Sequence, residues 1–324
     1  MAKPRIFIVS PALAAANNGN WHTAARWRGF LADVADVDIA LRWDGEPAEA
    51  MIALHARRSA DSVARFVASG TRPRLALILT GTDLYRDIES DAAAQHSLEC
   101  ATRLVVLQAE GLTRLTAAQR AKARVIVQSA EWVDGPGARA PGCRLVAVGH
   151  LRAEKDPLTL LNAVRRLAPA SAIEVVHIGD ALDTALGEQA RRTAADCPQY
   201  RWLGALPRDE ARAWIAGARA LVHMSRIEGG ANVVIEAVRS GVAVIASRID
   251  GNVGLLGRDY DGYFGVGDDA ALAALMQRFA ADADFAGRLV AQCAAREPLF
   301  RPEVEAAAVR ALAGELLAGE ALPR

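Results

Sequence analysis

The sequence predicts an α/β protein made of two doubly wound, Rossmann-like domains in tandem. Short runs rich in Val, Ile and Leu alternate with longer stretches of helical pattern along the whole chain. Continuous apolar strands of this kind are typical of parallel sheets that helices cover on both faces. The length of 324 residues favours two domains over one. A segment rich in Gly and Pro, VDGPGARAPG at 133–142, has the composition of a linker between the halves.

Ten runs carry the strand pattern, six in the first half and four in the second. They lie at 5–9, 37–41, 51–55, 75–80, 103–107, 124–127, 144–149, 173–179, 219–224 and 242–247. We therefore expect one domain over residues 1–140, a second over 141–298, and a C-terminal helix over 299–324 that crosses back to the first domain. Because ligands of such sheets bind beyond the carboxyl ends of the strands, we expect the functional residues in strand-to-helix loops around a cleft between the domains.

The composition argues against several classes of partner. Lys and Arg number 38, as do Asp and Glu, so no excess basic field is available to attract nucleic acid or an anionic membrane. The apolar run near the N-terminus is too short for a signal peptide or a membrane span. The cysteines are widely spaced and form no C-x-x-C pair, which favours reduced core thiols over disulfides or zinc. We therefore expect a cytoplasmic protein without nucleic-acid partners or membrane insertion.

The segment RIEGGANVVIEAV at 226–238 places two carboxylates, Glu228 and Glu236, at the start of an apolar helix. Its glycines let the backbone turn sharply, and Asn232 is expected to cap the helix or to donate to a ligand oxygen. The first-turn N–H groups favour an anion such as diphosphate, and each carboxylate can accept a pair of hydroxyl hydrogens. The segment thus suits a nucleotide sugar, although a capped core helix with incidental acids stays open. The predicted nucleotide-sugar contacts here are Gly229, Gly230, Ala231, Asn232, Val233 and Glu236.

A basic segment, VGHLRAEKDP at 148–157, follows the first strand of the second half. Gly149 ends that strand, and Arg152 and Lys155 project from the following loop. Two cations in this place could neutralise a departing diphosphate, so Gly149 is included among the donor contacts. The alternative is that both cations simply lie on a solvated surface.

A turn near the N-terminus offers a second anion-accepting helix start. Within ALAAANNGNWHTAARW at 12–27, Gly19 and Asn20 follow Asn18 and precede a helical pattern. The segment lacks G-x-G-x-x-G, which argues against a dinucleotide cofactor. We expect Gly19 and Asn20 to contact the nucleotide sugar.

Cationic side chains gather at the predicted strand ends of the first half. They suit a phosphate-like dianion, whereas a carbohydrate acceptor would favour carboxylates, amides and aromatic rings. Alternatively, Arg57 and Arg58 start a helix and pair with Asp61, and Asp83 could cap a helix, orient His55 or contact a sugar. The predicted acceptor-side residues are His55, Arg57, Arg58, Thr82, Asp83 and Arg86.

An N-terminal glycine loop, the basic GHLRAEKDP segment and an E-x7-E helix, in this order, resemble the retaining GT-B glycosyltransferases of the family 4 type. The match is best over 144–265. The resemblance implies the GT-B architecture, two Rossmann-like domains that face a central cleft. It also implies that Glu228 contacts the donor sugar, Glu236 the ribose and Lys155 the diphosphate, so that Lys155, Arg152 and Glu228 form the catalytic set.

Two further implications of the resemblance concern the nucleotide. The family usually has Arg directly after the strand glycine, where this chain has His150, and Arg152 is expected to substitute for it. In that family the base of the nucleotide lies near the segment that matches YRWLGALP of this chain. Trp202 is therefore a candidate contact for the base. GT-B enzymes need no metal, so we expect neither metal nor cofactor. The acidic triplets at 36–38 and 282–284 are poor metal sites, because they lie in strand and helix patterns.

Segments in the first half of the chain narrow the resemblance to one subfamily. LHARRSADSVARF (54–66) and LTGTDLYRDI (79–88), with GNWHTAARW, resemble a small bacterial glycosyltransferase subfamily that includes the selenosugar synthase of selenoneine biosynthesis. This implies that UDP-N-acetylglucosamine or UDP-glucose is joined to selenophosphate, with release of UDP and phosphate, and that a selenophosphate synthetase supplies the acceptor. The alternatives are a transferase with an ordinary sugar or lipid acceptor, a nucleotide-sugar epimerase and a non-catalytic nucleotide-binding module.

Overall fold

The computed structural model describes residues 2–14, 18–70, 74–135, 142–168 and 172–318. The chain forms two compact units. Unit 1 consists of Met1–Gln128 together with Pro302–Arg324, and unit 2 consists of Ser129–Arg301.

Within its described residues, unit 1 holds a six-stranded sheet in which every pairing is parallel. Its spatial order is β2-β1-β3-β4-β5-β6, so the direction of winding reverses between β1 and β3. Ligands of open α/β sheets bind at such a switch point, beyond the carboxyl ends of the strands. The strands are β1 (Arg5–Val9), β2 (Asp36–Ala40), β3 (Ala50–Leu54), β4 (Leu75–Leu79), β5 (Arg103–Val106) and β6 (Ala123–Val125).

Helices cover both faces of this sheet. Alternate residues of a strand point to opposite faces, so Phe7 of β1 packs in one core cluster and Ile8 in the other. A π-helical turn at Asp83–Asp87 and a 3-10 turn at Ala109–Arg114 complete the connections. The helices are α1 (Gly19–Leu31), α2 (Ala60–Ala68), α3 (Ile88–Ser90), α4 (Ala92–Cys100) and α5 (Ala117–Ala121).

Unit 2 repeats the design. Its described residues form a second parallel six-stranded sheet in the order β12-β11-β10-β7-β8-β9, with the switch point between β7 and β10. The prediction of two doubly wound α/β sheets is therefore confirmed, although the short strands β9 and β12 were not predicted. The strands are β7 (Cys143–Val148), β8 (Ile173–Ile178), β9 (Tyr200–Trp202), β10 (Ala220–His223), β11 (Ala243–Ser247) and β12 (Tyr263–Phe264).

The helices of unit 2 alternate with its strands. The loop after β7 contains a 3-10 turn at Ala153–Lys155, and a second 3-10 turn at Glu297–Phe300 ends the unit. The helices are α6 (Pro157–Arg165), α7 (Thr184–Asp196), α8 (Arg208–Ala216), α9 (Asn232–Arg239), α10 (Asp250–Leu256), α11 (Asp269–Ala281) and α12 (Ala283–Arg296).

The last helix, α13 (Pro302–Ala318), belongs to unit 1 although the whole of unit 2 precedes it. Its apolar residues Val309 and Leu312 join the core cluster that holds Trp27 and Leu31 of α1. Ion pairs attach this helix further. Glu305, 1% exposed, accepts from Arg26 and from the Trp27 indole, and Glu315 accepts from Arg103 and Arg124 of β5 and β6.

The unit boundaries differ from the sequence estimate of 140/141 and 298/299. The chain changes unit at Gln128/Ser129, because the following residues bond to the rest of unit 2. Ala130 N donates to Phe300 O (3.2 Å), Arg239 Nε donates to Ala130 O (2.9 Å), and Arg212 Nη2 donates to Glu131 O (2.6 Å). The central part of the predicted linker, 136–141, lies outside the described residues.

Among the helices that the structure describes, none combines the length and apolarity needed to cross a membrane. Of the four thiols, Cys143, Cys197 and Cys293 are buried and Cys100 is half-buried, and all four are unpaired.

Candidate active site

The switch point of unit 2 brings two predicted segments together, the loop after β7 and the loop after β10. Arg226 joins them, because its backbone N donates to Glu154 O (2.8 Å) and its guanidinium pairs with Asp156 (3.0 Å). Asp156 is 4% exposed, has a left-handed backbone (φ 48°), and accepts a hydrogen bond from the Thr159 hydroxyl. The segment that carries Lys155 is therefore held directly against the segment that carries Glu228.

The donors around the Glu228 carboxylate all approach the same oxygen, Oε1. Lys155 Nζ lies 2.5 Å from Glu228 Oε1, and the Ser225 hydroxyl donates to the same atom over 2.7 Å. His223 Nε2 is 3.5 Å away from it. Within the described chain, Oε2 receives no hydrogen bond, so Oε2 is the oxygen left for a ligand.

Glu228 is ionised in this environment. Burial alone would raise the pKa of its carboxyl, but the charge of Lys155 and the hydrogen bonds from His223 and Lys155 outweigh burial and hold the pKa far below its usual range. The site therefore presents a fixed carboxylate that can accept hydroxyl hydrogens.

The backbone of Glu228 is packed against the start of α10. A Cβ atom on Gly251 would lie 2.2 Å from Glu228 O, so only glycine permits this approach. Behind it, Ser247 Oγ donates to Ser225 O (2.6 Å), and Asn252 Nδ2 donates to Ser247 O (2.9 Å). These bonds fix the loop from β11 and α10.

The cations of the basic segment have different surroundings. The methylene groups of Lys155 pack against Gly149, whose added Cβ would be 3.5 Å from Lys155 Cδ. His150 Nδ1 accepts from Asp180 N (3.0 Å), and burial, followed by the charge of Arg152, lowers the pKa of His150. Arg152 is exposed, and its guanidinium makes no hydrogen bond or ion pair with any residue that the structure describes. Arg152 is thus accessible to an anionic ligand, whereas His150 Nδ1 is already engaged.

Glu236 lies on α9 and has two basic neighbours, Arg208 and Arg212. It is 6% exposed, and its Oε1 accepts from Arg208 Nη2 (2.9 Å) and Nε (3.3 Å), with Arg212 Nε at 3.9 Å. The two carboxylates of the E-x7-E pair therefore face different basic residues, Lys155 for Glu228 and Arg208 for Glu236.

The helix cap differs from the expectation. The N-cap of α9 is Ala231, which offers no side-chain acceptor, and Asn232 is the first helical residue. Asn232 Oδ1 is buried without a hydrogen-bond partner. Asn232 therefore does not cap the helix, because the helix begins at Asn232 itself. The alternative role of Asn232, donation to a ligand oxygen, stays a prediction. The first-turn N–H groups at Asn232 and Val233 have no carbonyl four residues back inside the helix.

Trp202 lies at the end of β9. Its indole N–H donates to Gly179 O (2.8 Å), and the Arg191 guanidinium stacks 5.5 Å from the ring centroid. The indole N–H is thus already hydrogen-bonded within unit 2. Only the partly exposed ring surface of Trp202 is available to stack on a nucleotide base.

In unit 1, the predicted turn before α1 is present. Asn18 is the N-cap, and its Oδ1 accepts from Asn20 N (3.1 Å) and Trp21 N (3.2 Å). Gly19 and Asn20 are the first two residues of the helix. The N–H of Asn20 is therefore already bonded in this structure.

His55 and Asp83 lie at the switch point of unit 1, after β3 and β4. His55 is 2% exposed, has φ 73°, and its Nε2 is 3.0 Å from Thr82 Oγ1. Burial lowers the pKa of His55 more than Asp83 raises it. Asp83 accepts from the backbone N–H groups of Ala56, Thr80 and Gly81 (each 2.9 Å) and so holds these turns, a role that was not among the three predicted for it. Its side chain makes no capping bond to the turn that it starts, and its Oδ2 lies 4.0 Å from His55 Nδ1.

A carboxylate that was not among the predicted site residues lies between the acceptor-side cations. Asp87, 6% exposed, accepts from Arg57 Nε (3.0 Å) on one oxygen and from Arg86 Nε (3.2 Å) on the other. The alternative pairing of Arg57 with Asp61 is thus not formed, because Asp87 binds Arg57 instead. Arg58 is exposed, and in the described part of the chain its side chain has neither a hydrogen bond nor an ion pair.

The comparison with protein families bears on unit 2. Residues 142–282 match the family model described as Glycosyl transferases group 1. The matched residues lie within unit 2, so this unit is similar to a group 1 glycosyltransferase domain. The predicted glycosyltransferase is therefore confirmed at this level, and the epimerase and non-catalytic alternatives are set aside.

Solved structures show the fold of this glycosyltransferase. Sucrose-phosphate synthase (tll1590) from Thermosynechococcus elongatus superposes with a TM-score of 0.78 at 16% identity, over 98% of this chain and 100% of that chain. Anabaena Alr3699/HepE in complex with UDP-glucose gives 0.77 at 13% identity, over 96% and 100%. A mutant of S. aureus TarM, in complex with Fondaparinux, alpha-GlcNAc-glycerol and UDP, gives 0.63 at 12% identity; it matches 83% of this chain, which spans 56% of that one. The predicted GT-B fold is confirmed.

Several site residues of the glycosyltransferase domain carry no clear signal in the sequence. His223 and Ser225 lie within and just after an apolar strand, where they look like incidental polar residues. Gly251 follows a buried strand by four residues, and its glycine is the one local hint of a close approach. Arg208 starts a helix far from Glu236 in sequence, so their contact depends on the tertiary fold.

Proposed function

We propose that this glycosyltransferase uses a UDP-sugar as its donor. The observation that carries the proposal is the ionised Glu228, whose Oε1 is bound by Lys155 and whose Oε2 remains available. A carboxylate oxygen accepts hydroxyl hydrogens, and the adjacent ammonium attracts a diphosphate. The HepE and TarM structures, which contain UDP-glucose and UDP respectively, support the choice of nucleotide.

The remaining donor contacts follow from this placement. Glu236 would accept the ribose hydroxyls through its second oxygen, while Arg208 holds the first. The free N–H groups at the start of α9, together with Lys155 and Arg152, would bind the diphosphate. As the sugar–oxygen bond breaks, negative charge grows on the leaving UDP, and these groups would stabilise that charge. We propose UDP-N-acetylglucosamine or UDP-glucose as the sugar.

For the acceptor we propose selenophosphate. Selenium would attack the anomeric carbon, form a C–Se bond and displace UDP with the bonding electron pair. Water would then cleave the P–Se bond and leave the selenosugar and inorganic phosphate. Because selenophosphate is already an anion, no general base is required, and the task of the protein is orientation. Arg57, Arg58 and Arg86 support an anionic acceptor, as does the sequence resemblance, and a selenophosphate synthetase would supply it.

An ordinary carbohydrate acceptor is the second candidate, and one observation favours it. Asp87 contacts two of the three arginines, which offsets much of their charge. The nearby Asp87, Thr82 and His55 are also groups that hydrogen-bond to sugar hydroxyls.

A UDP-release assay tests both candidates. Purified protein is given UDP-N-acetylglucosamine or UDP-glucose alone, with selenophosphate, or with simple sugars, and the products are analysed by mass spectrometry. We expect UDP release to rise with selenophosphate and a product that contains selenium to require both substrates. Rapid transfer to a neutral sugar without response to selenophosphate would favour the second candidate. Absence of UDP binding by calorimetry would contradict the donor proposal itself.

A further inference from the structure

A chain of buried side chains leads from His223 through Ser225 to Glu228. His223 and Ser225 are 2% and 1% exposed. Ser225 Oγ is 3.2 Å from His223 Nε2 and 2.7 Å from Glu228 Oε1. Neither residue is expected to touch a substrate, because both lie behind the carboxylate.

The chemistry of the three groups fixes the positions of the protons. An ionised carboxylate can only accept, so the hydroxyl hydrogen of Ser225 lies on its bond to Glu228. Ser225 Oγ then accepts from His223 Nε2 at 3.2 Å, and the same nitrogen lies 3.5 Å from Glu228 Oε1. Both neighbours place the imidazole proton on Nε2. His223 Nδ1 is buried and has no hydrogen-bond partner, so a proton on Nδ1 would be an unsatisfied buried donor. The bonds therefore run in one direction, from His223 to Ser225 to Glu228.

Lys155 alone would not orient the carboxylate. An ammonium is a compact charge with three rotatable donors, and the terminal torsion of Glu is broad. Lys155 can therefore follow either oxygen as the carboxylate rotates. The Ser225 hydroxyl approaches Oε1 from inside the protein and in one direction, and His223 orients that hydroxyl.

We propose that Ser225 and His223 are positioning residues that hold Oε1 of Glu228 and so direct Oε2 towards a hydroxyl group of the donor sugar. This inference rests on the proposed function, since it takes Glu228 as the contact for the sugar. The sugar, and not the nucleotide, is then the part of the donor whose binding and reaction depend on Ser225.

A purely structural role for the Ser225 side chain would predict something different. The loop backbone is already held by Ser247 Oγ on Ser225 O (2.6 Å) and by Arg226 N on Glu154 O (2.8 Å). Neither bond uses the Ser225 hydroxyl. Ser225→Ala should therefore leave the fold and the UDP affinity nearly unchanged, and a role in positioning should appear in turnover.

Steady-state kinetics with a double-mutant cycle tests this. Ser225→Ala should lower kcat by about 10- to 100-fold, because a misdirected group loses much of its effect on the reaction. In a Glu228→Gln background, Ser225→Ala should change kcat by no more than about twofold, which is the usual limit for an absent coupling. Ser225→Thr keeps the hydroxyl and should recover part of the activity. A wild-type kcat for Ser225→Ala, or equal effects in both backgrounds, would overturn the inference.

A spectroscopic measurement does not depend on activity. In the 15N-histidine NMR spectrum of the wild-type protein, the signals that disappear in His223→Gln are those of His223. We expect a protonated Nε2 and an unprotonated Nδ1, and a proton on Nδ1 would overturn the inference. UDP calorimetry on the wild-type protein tests the proposed function separately, so its failure can be told apart from failure of the hydrogen-bonded chain.

Discussion

Lys155 Nζ lies 2.5 Å from Glu228 Oε1, and the two residues are 73 positions apart in the sequence. The loops after β7 and β10 meet at the switch point of the sheet, so the topology of unit 2 creates the pair. A cation and a carboxylate that neutralise each other in the free protein can act on different parts of one donor molecule. Lys155 would face its diphosphate and Glu228 its sugar.

Loss of Lys155 should therefore affect the chemical step more than binding. Lys155→Ala should lower kcat by roughly 100- to 1,000-fold, as expected for the loss of a group that stabilises a developing anion. The donor KM should change less, since the charge on the diphosphate grows in the transition state. Arg166→Ala removes an exposed cation of the same unit that pairs with Asp269, and it is the matched control. Similar effects of the two substitutions on kcat would contradict the role of Lys155.

A binding experiment should distinguish the roles of Glu228 and Glu236. Glu236→Ala should weaken the binding of UDP by roughly 1.5–3 kcal/mol, the contribution of a hydrogen bond to a charged group. UDP and the UDP-sugar should be affected alike, because both contain the ribose. Glu228→Ala should leave UDP affinity nearly unchanged and reduce turnover. Isothermal titration calorimetry with UDP measures both variants. Equal losses of UDP affinity would show that the two roles are wrongly assigned.

Gly251→Ala tests the packing behind Glu228. The added Cβ would lie 2.2 Å from Glu228 O, so the loop must shift. A shift of this order can lower kcat by about 100-fold without unfolding the protein. Gly287→Ala in α12 is the control, since no atom lies within 4 Å of its added Cβ; it should retain activity and gain about 0.5–1 kcal/mol of stability. Full activity of Gly251→Ala would mean that the loop position is not critical.

In the proposed acceptor site, the side chain of Arg58 is exposed and has no partner among the described residues. Arg58→Ala should raise the KM for selenophosphate about tenfold, the scale of one charge-assisted hydrogen bond, and leave UDP affinity unchanged. Added inorganic phosphate should compete with selenophosphate. Arg65→Ala, also exposed and on α2, is the control and should behave as wild type. If Arg58→Ala changes the KM no more than Arg65→Ala does, the anionic acceptor loses its main support.

His177 makes the stability of unit 2 dependent on pH. Burial lowers the pKa of His177 from 6.5 to about 4, and its Nδ1 contacts the Tyr200 hydroxyl at 2.9 Å. Because the unfolded chain takes up the proton first, the stability is fully present above pH 6.5 and declines as the pH falls towards 4. The loss should total about 3 kcal/mol. Denaturant unfolding at several pH values measures it. His177→Gln should flatten this decline, whereas His96→Gln, at an exposed site on α4, should not.

Much of the fold could be predicted from the sequence, because its central strands are continuous runs of apolar residues. Such runs have few alternatives to a buried parallel sheet. The strands β9 and β12 were missed since they have three and two residues and stand at or near the sheet edges, where the apolar pattern is weak. The structural units divide at Gln128/Ser129, before the Gly- and Pro-rich stretch at 133–142. The composition of that stretch carries no information on which unit binds the residues before it.

The candidate site could be predicted only where its residues form a local pattern. Glu228, Glu236 and Lys155 belong to segments that resemble a known family. Asp87 was missed because it lies in a charged segment where a solvated carboxylate is the usual outcome. Its contact with Arg57 brings the loops after β3 and β4 together, and such a contact follows from the sheet order rather than from spacing.

The position of α13 has a consequence for the order of folding. Unit 2 is continuous in sequence and complete at Arg301, whereas unit 1 lacks one covering helix until Pro302–Ala318 has been synthesised. Until then the apolar surfaces of Trp27 and Leu31 have no cover from Val309 and Leu312. During translation, unit 2 can therefore finish folding while the N-terminal unit still waits for its last helix, which reverses the usual N-terminal-first order. A nascent chain that stalls near residue 301 would present this uncovered surface to chaperones.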